Sequence, residues 1–171
     1  MATYFVHKVD KWDQEFVDKL VSELGDVFVD SIYDPDGLSN NFESCLSYIS
    51  NAYSEIFIVT IDDIPASVIY GILDTKTMHF YIHGIYSTTH NGNRDYLYQK
   101  EYFEICNNKF IELGYTGKTI TTLKKWRDDN WIRRVCTEHP IAEPFVPTIT
   151  DTEHTTIWTW SFSWQSKPNS V

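Results

Sequence analysis

Cysteine, glycine and proline are all scarce in this chain of 171 residues, which contains three, seven and six of them, respectively. The cysteines Cys45, Cys106 and Cys136 are odd in number and widely spaced, and no Cys-x-x-Cys pair occurs. This pattern argues against a disulfide framework and against a zinc site. We therefore predict free thiols in a reducing, cytoplasmic compartment and no metal site.

Long apolar runs are also missing from the sequence. No run approaches the roughly 20 residues of a membrane span, and the first residues lack the apolar core of a secretory signal. The hydrophobic fraction of 42% and the aromatic fraction of 16% favour a folded protein. We expect one domain over residues 1–171, with its core at about 3–164, a frayed tail at 165–171 and no membrane contact.

Common catalytic motifs are absent as well. The chain has no Gly-x-Ser-x-Gly, His-Glu-x-x-His, P-loop or Gly-x-Gly-x-x-Gly pattern. These absences disfavour a hydrolase of the nucleophile-elbow type, a zinc protease, a P-loop nucleotide-binding protein and a dinucleotide-binding protein.

The negative charge is concentrated near the amino terminus. Residues 1–63 contain 13 acids and three bases, which gives the whole net charge of −10, whereas residues 64–171 contain 11 of each. An acidic surface repels phosphate, so we predict no nucleic-acid partner. Six bases fall within residues 118–134, and they either form a solvated mixed-charge face or contact one anionic ligand.

Hydrophobic periodicity predicts ten elements in the order β-α-α-β-β-β-α-β-α-β. In the first helix Trp12, Phe16, Leu20 and Leu24 recur every fourth residue, with Asp10 as a plausible N-cap. The last strand alternates aromatic with small polar residues, which predicts an aromatic face packed on another element; a ligand-stacking platform is the alternative. The predicted strands are 3–9, 55–62, 66–74, 78–87, 116–123 and 154–164, and the helices are 10–25, 41–53, 95–113 and 124–139.

This pattern indicates a mixed α/β fold. The three middle strands form an antiparallel meander, because short turns separate them. The long helix that follows lets the next strand return parallel to the third of them through a right-handed crossover. We predict a central, mostly antiparallel sheet with one parallel pair and helices on both faces.

The element order resembles that of the GNAT superfamily of acyl-CoA-dependent N-acetyltransferases. The segment GIYSTTHNGNRDYLYQKEYFEICNNKFIELGY, followed by the strand TGKTITTL, carries the resemblance, which covers about residues 3–164. It implies that acetyl-CoA is the acyl donor and that a small-molecule or protein amine is the acceptor. The acidic amino-terminal third matches the acceptor side of that family, so a cationic acceptor is expected.

The family binds the CoA pyrophosphate with a Gln/Arg-x-x-Gly-x-Gly/Ala loop and the following helix start, where backbone N–H groups face the anion. The matching residues here are Asn91, Gly92, Asn93 and Arg94. Gly92 fits the first glycine, whereas Arg94 replaces the second small residue. The alternative is an ordinary turn and helix cap. The resemblance also implies that backbone groups of residues Ile85, Tyr86 and Ser87 bind the pantetheine arm.

Candidate proton-transfer residues lie on and near the predicted strand 78–87. His79, Tyr81 and His83 share one strand face, and either histidine suits a general base because its ordinary pKa is near 6.5. The alternative is a polar face packed against aromatic rings. The family's usual acid is a tyrosine on the helix after the fifth strand; residues 124–139 contain none, so Tyr115 is predicted as a substitute.

Two functions follow from these observations. The first is a GNAT-like transfer of an acetyl group from acetyl-CoA to a cationic amine. The second is a catalytically inactive GNAT-fold protein whose acidic amino-terminal third binds a basic protein partner. The low glycine count and abundant tyrosine, threonine and asparagine are compatible with a phage or other viral accessory protein.

Overall fold

The computed structural model describes residues 2–10, 12–15, 18, 51–87, 95–123 and 146–162. The chain divides into two compact units, Met1–Ile72 with His83–Arg94, and Leu73–Ile82 with Asp95–Val171. Within the described ranges, no helix has the length and apolar character to cross a bilayer. The single domain expected over residues 1–171 stays a prediction.

Seven strands form one mixed sheet in the order β1-β2-β3-β4-β5-β7-β6. The β4–β5 ladder is parallel, and the β1–β2, β2–β3, β5–β7 and β6–β7 ladders are antiparallel. This arrangement confirms the predicted α/β fold with a mostly antiparallel sheet and one parallel pair. The strands are β1 (Tyr4–Lys8), β2 (Ser54–Ile61), β3 (Ile64–Asp74), β4 (His79–Ser87), β5 (Gly117–Leu123), β6 (Thr148–Asp151) and β7 (Thr155–Ser161).

In the first unit, β2 and β3 are buried on both faces, as their nearly continuous apolar sequences indicate. A two-residue turn joins them, and Asp62 and Asp63 take the positive φ values of 51° and 65° that a tight hairpin turn requires. Asp62 also receives the Thr3 backbone N–H on its carboxylate at 2.9 Å, which ties the start of the chain to this turn.

In the second unit, the core is aromatic. The helix α1 (Lys100–Glu112) contributes Phe103 and Phe110, whose rings lie 5.9 Å from Trp160 of β7 and 5.4 Å from Phe80 of β4, respectively. Trp158, Trp160 and Phe162 are almost completely buried. The alternating aromatic residues of the last strand therefore form a packing face, as predicted. Gly114 follows the helix with φ at +81°, as expected for a residue that ends a helix.

The predicted boundaries were wrong in two places. The helix predicted over 95–113 is split, because Asp95–Tyr98 form a 3₁₀ turn and Gln99 has extended backbone angles before α1 begins. Buried Tyr96 packs edge-on against Tyr102, so tertiary packing fixes this separate first turn. The sequence analysis also missed β6, whose four residues are all exposed and therefore carry no apolar alternation.

Several predictions lie outside the described residues. They comprise the helices at 41–53 and 124–139, most of the helix at 10–25, and hence the placement of helices on both faces. Of the first helix, Gln14, Glu15 and Asp18 are described and helical. The Trp12 N–H donates to Asp10 Oδ1 at 3.2 Å, and the Asp13 N–H donates to the Asp10 carbonyl at 3.1 Å. Asp10 therefore forms a turn that ends before the first described helical residue, Gln14, and its prediction as the N-cap was wrong.

Candidate functional site

The strand β4 presents the predicted polar face. Exposed Tyr81 and His83 and half-buried His79 alternate with Phe80 and Ile82, which are buried. The alternation follows from the period of two of a β-strand, because successive side chains point to opposite faces. The three candidate side chains therefore share one face, whereas the aromatic core lies behind the other.

His79 is held by a short polar chain. Its Nε2 lies 2.7 Å from Thr119 Oγ1 on β5, and Thr119 Oγ1 lies 3.3 Å from Thr159 Oγ1 on β7. The imidazole ring also packs 4.7 Å from the Tyr81 ring, between centroids. Burial lowers the pKa of His79, and the nearby Asp74 carboxylate opposes that shift. These contacts fix the orientation of the ring and occupy one ring nitrogen.

The backbone beside His79 leaves no room for a larger residue. Gly117 is the ladder partner of His79, and a Cβ there would overlap the Trp160 carbonyl oxygen. The same Cβ would lie 3.0 Å from His79 Nδ1. Glycine is therefore needed where three strands and an imidazole ring meet.

His83 has a more open environment than His79. The residue is exposed, and partial burial lowers the pKa of its imidazole below the ordinary 6.5. The imidazole is therefore neutral at pH 7, the state in which it can accept a proton. Of the two histidines, His83 is the one whose surroundings suit a general base.

Tyr115 lies in the aromatic core. It is 3% exposed, and its ring stacks on Phe110 at 5.8 Å with an interplanar angle of 12°. The Phe80 ring is 5.7 Å away on the same cluster. A proton donor must reach the departing group, so this buried position favours a packing role for Tyr115.

The predicted pantetheine-binding segment is the last part of β4. The parallel ladder with β5 has four pairs, from His79–Gly117 to Ile82–Ile120, whereas β4 continues to Ser87. Ile85, Tyr86 and Ser87 are strand residues that are not part of this ladder. β4 also neighbours β3 in the sheet, so in this segment the backbone groups that need another partner, such as water or a ligand, are those on the edge away from β3. Asn91, Gly92, Asn93 and Arg94 lie outside the described residues.

Gly84 has a role that the sequence analysis missed. A Cβ on Gly84 would overlap the ring of Tyr70, which is 1% exposed and belongs to β3. The Tyr70 ring therefore lies directly over the Gly84 backbone, between His83 and Ile85. An isolated glycine inside a strand pattern signals such a close approach, so this feature was open to detection.

Lys118 does not belong to a basic surface. It is 3% exposed, and its ammonium group lies 4.4 to 5.6 Å from the ring centroids of Trp160, Phe110 and Phe103. Cation–π attraction stabilises a cation in such a position. The suggestion that the bases of 118–134 contact an anion therefore fails for Lys118, and the other five lie outside the described residues.

The remaining candidates for metal or thiol chemistry are few. Cys106 is a free, buried thiol on α1, and burial raises its pKa to about 11. A thiol with that pKa is not a nucleophile at neutral pH. Within the part of the chain that the structure describes, no three His, Cys, Asp or Glu side chains are arranged to hold a metal ion.

Comparison with solved structures shows which fold this is. A chimera of the spermidine N-acetyltransferase SpeG from Vibrio cholerae and hSSAT matches with a TM-score of 0.55 and 10% identity, over 96% of this chain and 99% of that chain. The ribosomal alpha-N-protein acetyltransferase RimL, in complex with coenzyme A, matches with a TM-score of 0.52 and 11% identity, over 93% and 94% of the two chains.

A third match is the Campylobacter jejuni N-acetyltransferase PseH in complex with acetyl coenzyme A. Its TM-score is 0.51 and its identity is 13%, over 92% of this chain and 99% of that chain. No protein-family model and no curated protein sequence matches the chain. The chain has the GNAT fold, as the order of its elements predicted.

Proposed function

We propose that the chain is an N-acetyltransferase that moves the acetyl group of acetyl-CoA to a cationic amine. The observation that carries this proposal is the parallel β4–β5 ladder of four pairs in a GNAT fold, with the rest of β4 outside it. The solved structures that match include complexes with coenzyme A and acetyl coenzyme A, and a spermidine N-acetyltransferase. These neighbours favour the same donor and an amine acceptor here.

The donor would be held by backbone groups. We assign the pantetheine arm to the strand backbone of Ile85, Tyr86 and Ser87 and the pyrophosphate to the segment from Asn91 to Arg94. Strand amides and carbonyls bind an extended amide-containing arm by the same hydrogen bonds that pair strands. Bound acetyl-CoA supplies an activated thioester carbonyl.

His83 is our candidate for the general base. An amine is protonated at neutral pH and attacks a carbonyl only after it loses a proton. The neutral imidazole of His83 accepts this proton, either directly or through one water molecule. His79 supports the strand through its bond to Thr119, and Tyr115 packs in the core, so the proton for the departing thiolate comes from water or from a group outside the described residues.

Thermal denaturation with acetyl-CoA tests donor binding. Acetyl-CoA at 100 times its dissociation constant should stabilise the protein by about 2.7 kcal/mol. Gly92→Trp and Arg94→Ala should reduce this shift, whereas Lys76→Ala, in the exposed β3–β4 turn, should not. An unchanged melting temperature at millimolar acetyl-CoA contradicts donor binding. Release of the CoA thiol in the presence of a panel of amines then tests transfer.

A specific observation also favours the second function, a GNAT-fold protein that binds a basic protein partner without catalysis. Two of the three predicted catalytic side chains, His79 and Tyr115, are engaged in packing. Asp10, Asp13 and Asp18 are exposed in the acidic amino-terminal third. This function predicts no thiol release with any amine and salt-sensitive capture of a basic protein.

A further inference from the structure

The strand β6 forms one edge of the sheet. Its only neighbour among the described strands is β7, and the two strands make an antiparallel ladder from Thr148–Thr159 to Asp151–Thr156. All four residues of β6 are exposed, and the whole hairpin belongs to the second compact unit. The edge of a sheet presents backbone N–H and C=O groups with which another strand can pair.

The register of the β6–β7 hairpin shows which backbone groups point towards this edge. The Thr152 N–H donates to the Thr155 carbonyl at 2.8 Å, so these residues form a hydrogen-bonded pair that continues the ladder. Hydrogen-bonded and non-hydrogen-bonded pairs alternate along an antiparallel ladder. Thr148 and Thr150 therefore bond to β7, whereas Ile149, which lies between them, directs its N–H and C=O groups away from β7.

The middle of β6 lacks the features that usually protect an edge strand. Edge strands of soluble proteins commonly carry lysine, proline or a bulge, which prevents pairing with another chain. The run from Thr148 to Thr150 has no charged residue and no proline, and Ile149 is 44% exposed. Pro147 and Asp151 stand only at the two ends of this run.

The sequence of β6 is complementary to itself in one antiparallel register. A two-fold axis perpendicular to the sheet keeps each side chain on its own face, so it can place Ile149 opposite Ile149 of a second copy. Thr148 then lies opposite Thr150 of that copy, and Asp151 lies opposite Pro147. Apolar pairs and Thr–Thr pairs stabilise an antiparallel ladder, whereas like charges directly opposite each other destabilise it. This register contains both favourable pairs and does not oppose the two Asp151 carboxylates.

We propose that β6 is a dimerisation edge, which pairs antiparallel with β6 of a second copy of this chain. The two Ile149 residues exchange their outward N–H and C=O groups, and their side chains meet on one face of the joined sheet. A pairing of four residues buries less than the roughly 1,000 Å² of a stable interface, so the dimer is weak and forms at high protein concentration. It needs neither acetyl-CoA nor transfer chemistry, so the dimer and the proposed activity can fail separately.

Sedimentation velocity of the full chain, from about 10 μM to about 1 mM protein, tests the association. We expect the average mass to rise from that of one chain towards that of two chains across this range. It should not rise further, because a two-fold pairing uses the β6 edge of both copies. Sedimentation as a single chain at every concentration, or continued growth beyond two chains, overturns the proposal.

Variants of Ile149 locate the interface. Ile149→Pro deletes the outward N–H, which an edge strand tolerates, and Ile149→Lys places two like charges opposite each other. Each should raise the dissociation constant of the dimer about 10-fold or more. The matched control is Ile64→Lys, which makes the same change of charge at an exposed isoleucine of β3 and should associate like the wild type. Circular dichroism identifies the folded variants, and unchanged association in either folded Ile149 variant, or an equal loss in Ile64→Lys, refutes the interface.

Disulfide cross-linking tests the register. The Cα atoms of a hydrogen-bonded antiparallel pair lie about 5.5 Å apart, which is within the range that a disulfide spans. Ile149→Cys should therefore form a covalent dimer on mild oxidation, above the background of the wild type with its own cysteines. Thr150→Cys, which lies opposite Thr148 of the other copy, should cross-link about 10-fold more slowly or less. Cross-linking of Ile149→Cys at the background rate, or of Thr150→Cys at an equal or faster rate, contradicts a pairing centred on Ile149.

Discussion

The two halves of β4 place chemically identical side chains in different settings. In the first half, His79 is joined to β5 through Thr119, and the backbone is paired in the parallel ladder. In the second half, His83 is exposed and follows the last pair of that ladder. Burial lowers the pKa of both imidazoles. The difference between them therefore lies in the exposure of the side chain rather than in the direction of the pKa shift.

The first half of β4 stabilises the sheet, whereas the second half carries the candidate general base. A side chain that is hydrogen-bonded across the sheet stabilises the sheet but has little freedom to exchange a proton with a substrate. An exposed side chain beyond the ladder is accessible to a substrate, and the strand behind it still fixes its position. The glycines beside the two histidines also differ: Gly117 of β5, the ladder partner of His79, contacts backbone, whereas Gly84, next to His83 on β4, contacts the end of a side chain.

The largest expected effect comes from Gly117 of β5, which pairs with the first half of β4. Gly117→Ala would place a methyl group on the Trp160 carbonyl oxygen, so a backbone must move, and we expect a loss of about 3 kcal/mol or more in the free energy of unfolding. Gly84→Ala meets the far end of the Tyr70 ring instead and should cost about 1–3 kcal/mol. Urea denaturation at pH 7.5 measures both.

A second variant tests the cause of the Gly84 effect. Tyr70→Leu removes the ring end that the new methyl group would meet, so Gly84→Ala should cost much less in the Tyr70→Leu background than in the wild type. Equal costs in both backgrounds, or a Gly117→Ala cost below that of Gly84→Ala, would contradict the assigned contacts.

The next largest effect separates the two histidines in catalysis. His83→Ala should lower kcat/KM for amine acetylation about 100-fold, the lower end of the range for loss of a general base, whereas His79→Ala should retain activity within about 5-fold. The assay measures release of the CoA thiol from equal amounts of folded protein. A larger loss in His79→Ala than in His83→Ala would reverse the assignment.

The pH dependence sharpens that result. Because the pKa of His83 lies below its ordinary 6.5, kcat/KM should be level at pH 7 and fall on acidification with a midpoint below 6.5. An acid limb centred above 7 would point to another base.

The stability of the protein should change in the same direction. The imidazole has a higher pKa in the unfolded chain than in the folded one, so the unfolded chain binds more protons, and the free energy of unfolding decreases as the pH falls below about 6.5.

The smallest effect concerns the bond that distinguishes His79. Thr119→Val keeps the shape and the β-branched side chain but removes the hydroxyl that bonds to His79, and it should cost about 1 kcal/mol of unfolding free energy. Thr121→Val changes an exposed threonine two residues along the same strand and should stay within about 0.5 kcal/mol. Equal values for the two variants would show that the Thr119 bond contributes nothing to the first half of β4.

Some elements of the fold could be predicted from the sequence, and others could not. The alternating aromatic residues of the last strand predicted the buried face of Trp158, Trp160 and Phe162, because a period of two specifies a strand with one packed side. The crossover from β4 to β5 followed from the long helix between them. By contrast, β6 was missed, since an exposed edge strand has no apolar alternation to detect. Trp12 was counted in the periodic pattern of the first helix, yet it lies in a turn before the described helical residues and is 71% exposed.

The candidate site could be predicted from the sequence only in part. The shared face of His79, Tyr81 and His83 was evident from their spacing. The same spacing could not show which of the two histidines is better placed to act as a general base. Thr119, which separates them, is distant in sequence, and only the parallel register brings it to His79. Likewise, the sequence grouped Lys118 with the other bases of residues 118–134, whereas in the structure its ammonium group lies among three aromatic rings.

The order of β1 to β5 and β7, the aromatic face of β7 and the acidic amino-terminal third were all determined by the sequence itself, because periodicity, turn residues and charge act over a few neighbouring positions. The tertiary structure alone decided that His79 is bonded to Thr119, that His83 is exposed beyond the β4–β5 ladder, and that Lys118 is buried. Those outcomes depend on strand register and on contacts between residues far apart in the chain, and local patterns do not encode such contacts.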